Sequence, residues 1–195
     1  MRLFIAIDCN KRRDHFLGLQ DELKERFAPE QLSPTDSFHL TLKFLGDVPR
    51  DRLAYIKRSL SRVDLHPFCI TLDHLGFFSQ KSGKGVVWAG LRSWRTISML
   101  HRQIDRQLKP LFPDQPRFVP HVTLARIHQD QAAGKHLQAY AQQTRPTRLD
   151  VREFSLVQSV PERGRRAHVK LFTVPLTGKD VQGARQAKHN LYKQT

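Results

Sequence analysis

The chain has 195 residues, 39% of them hydrophobic, and a formal net charge of +15. Its length suits one domain, built as a single unit or as two similar lobes, with enough apolar residues for a core. No apolar run approaches the ~18 residues of a membrane span, the first residues carry no signal-peptide pattern, and Cys9 and Cys69 stand in no CxxC or Cys/His cluster, which excludes a disulfide scaffold and predicts a reduced, cytoplasmic setting.

Residues 2–8, Arg-Leu-Phe-Ile-Ala-Ile-Asp, read as a first strand. Asp8 or Asn10 can cap a helix with Phe16, Leu19, Leu23 and Phe27 at helical spacing, ended by Pro29 and the Ser33-Pro34 turn. A strand over about 38–45 follows, closed by Gly46-Asp47. A second helix from near Pro49 carries Leu53, Ile56, Leu60 and Val63 on one stripe. Two strands, about 67–75 and 86–91, are joined by a glycine-bearing hairpin loop over 79–85 that lacks the phosphate-loop spacing. Ser93 can cap a third helix with Trp94, Ile97, Leu100, Ile104, Leu108 and Leu111 buried, broken by Pro110, Pro113 and Pro116. A strand over about 117–127, a weaker helix over 130–142, and two strands over 149–160 and 166–176 complete the pattern. A basic connector, Arg163-Gly164-Arg165-Arg166, joins the last pair. One domain over 1–177 is expected, with a frayed or weakly helical basic tail over 178–195.

Two phrases stand out: His39-Leu40-Thr41-Leu42 and His121-Val122-Thr123-Leu124. In a strand, alternate side chains share a face, so each copy presents a histidine and a hydroxyl on one side and buries its aliphatic residues on the other. A single His-x-[Ser/Thr] is expected about once by chance in such a chain. Two copies followed by apolar residues have a chance of about a per cent or two. The halves echo each other as helix, His-strand, helix and two strands. The expected fold is therefore α+β: bilobal, with pseudo-two-fold duplicated lobes, mainly antiparallel sheets, helices outside and a cleft between the lobes.

Two histidines on one cleft are the minimal kit for acid–base chemistry near neutral pH. Hydroxyls beside them can donate to phosphate oxygens, and a pI near 10.5 attracts polyanions, nucleic acid first. The chemistry that fits is displacement at a phosphodiester. Two His with threonines make a poor zinc set, so neither a metal nor another cofactor is expected. Lys43, on the alternation shared with His39, is a candidate phosphate contact, whereas the same alternation turns Arg126 away from His121. His15, His66, His74, His101, His128, His136 and His189 read as surface or core residues.

With 2–8 and Phe44-Leu45-Gly46, the paired motifs resemble the two-histidine phosphoesterase superfamily. Within it the chain is most similar to the RNA 2′,3′-cyclic phosphodiesterases, historically called 2′-5′ RNA ligases, over about 2–176. The resemblance implies metal-free opening of an RNA 2′,3′-cyclic phosphate to a 2′-phosphomonoester, with weak 2′-5′ ligation. It implies His39 as proton donor, His121 as proton acceptor, Thr41 and Thr123 on the phosphate, and Arg163, Arg165 and Arg166 in a basic loop that meets RNA. His168 stands where an aromatic residue is frequent. The expected partner is RNA with a 2′,3′-cyclic phosphate end, tRNA fragments among them, acted on by a monomer. The rival readings are a non-catalytic module that holds RNA ends or nucleotides, and a phosphodiesterase for small cyclic nucleotides.

Overall fold

A computed structural model of the chain describes every residue except 26, 29, 80–83, 114–116, 129–143, 163–164 and 179–195. The helix expected over 130–142, the hairpin tip, Arg163 and the tail from residue 179 on lie outside the described residues. The elements are β1 (Arg2–Asp8), α1 (Arg13–Lys24), β2 (Leu32–Pro34), β3 (His39–Asp47), α2 (Leu53–Leu60), β4 (Phe68–Ser79), β5 (Gly85–Leu91), α3 (Arg95–Leu108), β6 (His121–Ile127), β7 (Thr147–Val151), β8 (Glu153–Glu162) and β9 (Arg165–Pro175).

The strands form one sheet in the order β7-β4-β5-β6-β3-β1-β8-β9, with β2 paired to β6 beside that path. Every pairing is antiparallel. Reading outward from the middle, β6, β5, β4 and β7 on one side match β3, β1, β8 and β9 on the other. The fold is the expected α+β class, but the lobes are not the two halves of the chain. The middle of the chain makes one lobe (β4 to β7), and both its ends make the other (β1, β3, β8, β9). Chain proximity explains the difference. The short connection between β4 and β5 favours their antiparallel hairpin, and β1 then takes β8 on the edge that β3 leaves open.

The single strand expected over 149–160 is two strands, β7 and β8, at positions far apart in the sheet. The break falls at Arg152, whose carbonyl accepts the Leu176 N–H at 2.8 Å. Buried positions shift phase there, from Leu149 and Val151 to Phe154 and Leu156. A single flat strand cannot turn both sets toward one core.

α1, α2 and α3 bury their apolar stripes on one face of the sheet. Phe16, Leu19 and Leu23 of α1, Ile56 and Leu60 of α2, and Ile97, Leu100, Ile104 and Leu108 of α3 join Leu40, Leu42, Val122 and Leu124 in one cluster. The histidine side of β3 and β6 faces away from the helices.

Both motif strands are bulged at the same place. Thr41 pairs with Ala6 and Lys43 with Ile5, so Leu42 has no opposite. Thr123 pairs with Trp88 and Ala125 with Val87, so Leu124 has none. One extra residue reverses the facing of those that follow, in β3 as far as a second register shift at Leu45. Lys43 is thereby carried to the core side, where it is 1% exposed, which overturns the expectation that it shares the His39 face and meets RNA. Its ammonium donates to Asp105 Oδ1 at 2.6 Å and to Pro113 O at 2.9 Å. A buried ammonium without such partners costs several kcal/mol, so the pair is a requirement of the fold. Lys43→Ala, which removes the ammonium from Asp105 and leaves it only His101, should lower the unfolding free energy by about 3–5 kcal/mol in urea titration. A loss under about 1 kcal/mol would mean that solvent reaches the carboxylate.

Candidate active site

β3 and β6 meet at one register pair, Leu40 opposite Val122. These are the second residues of the two motifs, so the pseudo-two-fold axis passes between them. One residue to either side, antiparallel pairing sets His39 across from Thr123 and Thr41 across from His121. Each histidine thus faces the hydroxyl of the other copy, and all four share the side away from the core. All four are half-buried, screened enough to strengthen charge interactions and open enough to receive a ligand.

The rings are held from behind by the loops that enter each strand. His121 Nδ1–H donates to Val119 O at 2.7 Å, which leaves Nε2 as the basic nitrogen. His39 Nδ1 is turned toward the equivalent carbonyl, that of Ser37, but falls short of full hydrogen-bond geometry. Burial first, then the neighbouring His168 and the more distant His121, push the His39 imidazole down to about 4, against a partial offset from Ser37 and Asp8. Burial also lowers His121, offset in part by the Val119 carbonyl. Both rings are neutral at pH 7 when no anion is bound.

Each histidine is packed by ring neighbours, of which only His168 stood out in the sequence. The His39 ring lies 5.1 Å from Phe4 and 4.8 Å, edge-on, from His168. His121 lies 5.0 Å, edge-on, from Phe78 and 5.8 Å from Trp88. Trp88 lies against β4 and β5 because Gly76 and Gly90 leave room: a Cβ on Gly76 would stand 2.2 Å from its ring, and one on Gly90 2.5 Å. The signal that could have found Phe4, Phe78 and Trp88 was the alternation of β1, β4 and β5 once their strand partners were known.

The two sides differ. Ala6 pairs with Thr41 where Trp88 pairs with Thr123, and the smaller residue leaves a pocket of about 150 Å³ beside His39. Asp8, Asn10, Ser37, Ser155, His168 and Lys170 contribute its polar lining. Lys170 Nζ donates to Asp8 Oδ2 at 2.6 Å, and Asn10 donates twice to Asp8 Oδ1 at 2.8 Å. Burial works against the Asp8 carboxylate, but Lys170 and Asn10 outweigh it and hold it below its ordinary value.

The bulge also corrects the expectation for Arg126. It follows the extra residue in β6, so it lies exposed on the histidine side, near enough to His168 to help burial lower that ring's pKa. Arg166 does the same and donates to Ser159 Oγ at 3.3 Å. Arg165 opens β9 beside it, opposite Glu162. Among the described residues, no group of three or more His, Cys, Asp or Glu is placed to hold a metal ion, and no helix is long and apolar enough to cross a membrane.

A bilobal α+β sheet with one His-x-Thr strand from each lobe at its centre defines a two-histidine phosphoesterase. The profile of the 2′-5′ RNA ligase superfamily matches residues 13–162, and the chain belongs to that family. It is similar to the RNA 2′,3′-cyclic phosphodiesterase of Archaeoglobus fulgidus, 29% identical over 163 residues, covering 82% of this chain and 92% of that protein. The enzyme of that name from Methanothermobacter thermautotrophicus is 33% identical over 131 residues, or 65% of this chain and 71% of the other. Among solved structures, Escherichia coli LigT in apo form matches with a TM-score of 0.72 at 30% identity, covering 90% of this chain and 97% of that one. LigT complexed with 3′-AMP matches at 0.69 and 29%, with the same coverage.

The lowered histidines tie stability to pH. Below the ordinary imidazole value of 6.5 the unfolded chain takes up protons that folded His39 does not accept until about 4. Stability is therefore lost as pH falls through that window. The melting temperature should drop between pH 6.5 and pH 4.5, and His39→Gln should flatten the drop. Parallel curves for the two proteins would show that His39 is freely protonated in the fold.

Proposed function

We propose that the protein opens RNA 2′,3′-cyclic phosphodiester ends to 2′-phosphomonoesters, without a metal, using His39 and His121 as an acid–base pair. The observation that carries this reading is the antiparallel register of the two motifs, which sets each histidine opposite the other copy's threonine around one point.

A cyclic phosphate centred on that point meets Thr41 and Thr123, whose hydroxyls donate to its non-bridging oxygens. Fixed donors gain in value as charge builds on phosphorus. His121, with its Nδ1–H committed to Val119 O, takes a proton from water through Nε2 as the water oxygen bonds to phosphorus. The P–O3′ bond breaks, and His39 gives its proton to O3′, leaving the phosphate on O2′. In the free protein His39 is neutral, and the arriving phosphodiester anion is the charge that favours its protonation. When the 5′-hydroxyl of a second RNA replaces water, the same attack forms a 2′-5′ linkage. Arg126, Arg165 and Arg166 supply sequence-independent attraction for the chain beyond the cyclic end, including the end of a tRNA fragment. A monomer acting in the cytoplasm completes the reading, with Cys9 and Cys69 both free thiols.

The deciding assay is incubation of a short RNA bearing a 2′,3′-cyclic phosphate with the protein in EDTA, followed by mapping of the product phosphate. A 2′-phosphomonoester is expected. His39→Ala and His121→Ala should each cost on the order of 10²–10⁴ in kcat, and the double variant far less than their product. Binding without turnover would favour a module that only holds RNA ends.

Both depressed histidines move the pH optimum. kcat/KM reports the free protein and should peak on the acid side of 6.5, the ordinary imidazole value. kcat should peak at higher pH, because bound phosphodiester stabilises the imidazolium. A rate that rises steadily to about pH 9 would point to a base other than histidine.

A further inference from the structure

α1 and α3 each carry one buried polar residue inside an apolar stripe, and neither takes part in the proposed chemistry. On α1 it is Gln20, between Leu19 and Leu23, 2% exposed. On α3 it is His101, between Leu100 and Ile104, 6% exposed. Their partners are a matched pair. His101 Nδ1–H donates to Leu42 O at 2.8 Å, and Gln20 Nε2 donates to Leu124 O at 2.7 Å. Leu42 and Leu124 are the bulged residues, each the fourth of its motif, skipped by the neighbouring strand's register.

The attachment crosses the repeat. α1 precedes β3 in the chain but reaches β6, and α3 precedes β6 but reaches β3. Each contact is held from other sides. Gln20 Nε2 also donates to Thr35 O at 2.9 Å, and the Thr35 N–H joins it on Leu124 O at 2.9 Å. The His101 ring stacks on Phe118 at 4.0 Å between centroids, and its Nε2 lies 3.1 Å from Asp105 Oδ2. The other oxygen of Asp105 takes Lys43, the residue just past the bulge.

We propose that Gln20 and His101 are positioning residues for the two-histidine site, each holding the bulge of the opposite repeat's motif strand. At each bulge the skipped residue's carbonyl takes a helix side chain as donor, His101 on Leu42 O and Gln20, beside the Thr35 N–H, on Leu124 O, and a buried carbonyl that loses a donor is costly. Without the donor the strand relieves that cost by sliding back to a regular ladder. That slide returns Lys43 and Ala125 to the cleft side, withdraws Phe44 and Arg126, and shifts the threonines against the histidines. His101 therefore governs His39 and Thr41, and Gln20 governs His121 and Thr123.

The catalytic consequence rests on the proposed phosphodiesterase reading, and the test separates the two. His39 and His121 are titrated by NMR of their imidazole carbon-bound protons in the full chain, alongside kcat and KM on a cyclic-phosphate oligonucleotide and the melting temperature. Gln20→Met, which keeps volume and removes the donor, should move the His121 titration and leave that of His39 in place. His101→Leu should do the reverse. Each should lower kcat by about 10–100-fold, with KM changed less than about threefold. His101→Asn, which offers an amide donor where Nδ1 stood, should recover kcat to within about threefold of the parent. Should Gln20→Met fail to fold, Gln20→Asn, an amide one methylene short, is read in its place.

Folded variants that lose only melting temperature, with both titrations and kcat unchanged, would overturn the assignment. So would variants that disturb both histidines alike. If the parent protein does not turn over the cyclic phosphate, the phosphodiesterase reading fails, and the crossed titration shifts still decide whether the clamps act as proposed.

Discussion

Leu40 and Val122, side by side on the core face, are the joint on which the molecule depends. β3 and β6 pair at that position alone, yet both residues are fully buried against helices that belong to opposite repeats. Because strand side chains alternate, burying these two places His39, Thr41, His121 and Thr123 on the reverse side. Apolar packing thus sets the geometry of the polar site. Each such aliphatic side chain contributes about 1.5–3 kcal/mol of burial, against about 0.5–1.5 kcal/mol net for a typical neutral hydrogen bond.

Pseudo-symmetry around this joint is broken in a useful way. Where the central lobe fills the space beside its histidine with Trp88, held close by Gly76 and Gly90, the terminal lobe has Ala6 and leaves a polar pocket. Two equal halves would bind a cyclic phosphate in either of two orientations. Unequal neighbours remove that equivalence: a polar pocket lies on the His39 side where Trp88 packs on the His121 side.

Electrostatics acts in the same direction. In a chain of net charge +15, burial lowers the pKa of His39, His121 and His168, His168 adds to the effect on His39, and Arg126 and Arg166 add to it on His168. The resting site carries positive potential from its rim but no proton on His39. In the proposed reaction a phosphodiester anion would supply the charge that favours protonation, so that substrate binding and arming of the acid would be one event. The Asp8–Lys170 pair lines the pocket, and the Asp8 carboxylate offsets part of the lowering of His39.

The paired motifs, the helical stripes and the α+β class were legible in the sequence, because they rest on periodicities of two and 3.6 residues that each element carries within itself. The slip of phase between Val151 and Phe154 was legible too, though the sequence reading ran one strand through it. The polar residues Gln20 and His101 interrupt two apolar stripes at matching positions, a signal that gains meaning only beside a strand with a carbonyl to satisfy. Which strands pair, and that each motif strand bulges after its threonine, was decided by tertiary structure alone. A bulge depends on the neighbouring strand's register and on a donor from a helix distant in the chain. It reverses the facing of Lys43 and Arg126, so alternation counted along the sequence places both on the wrong side.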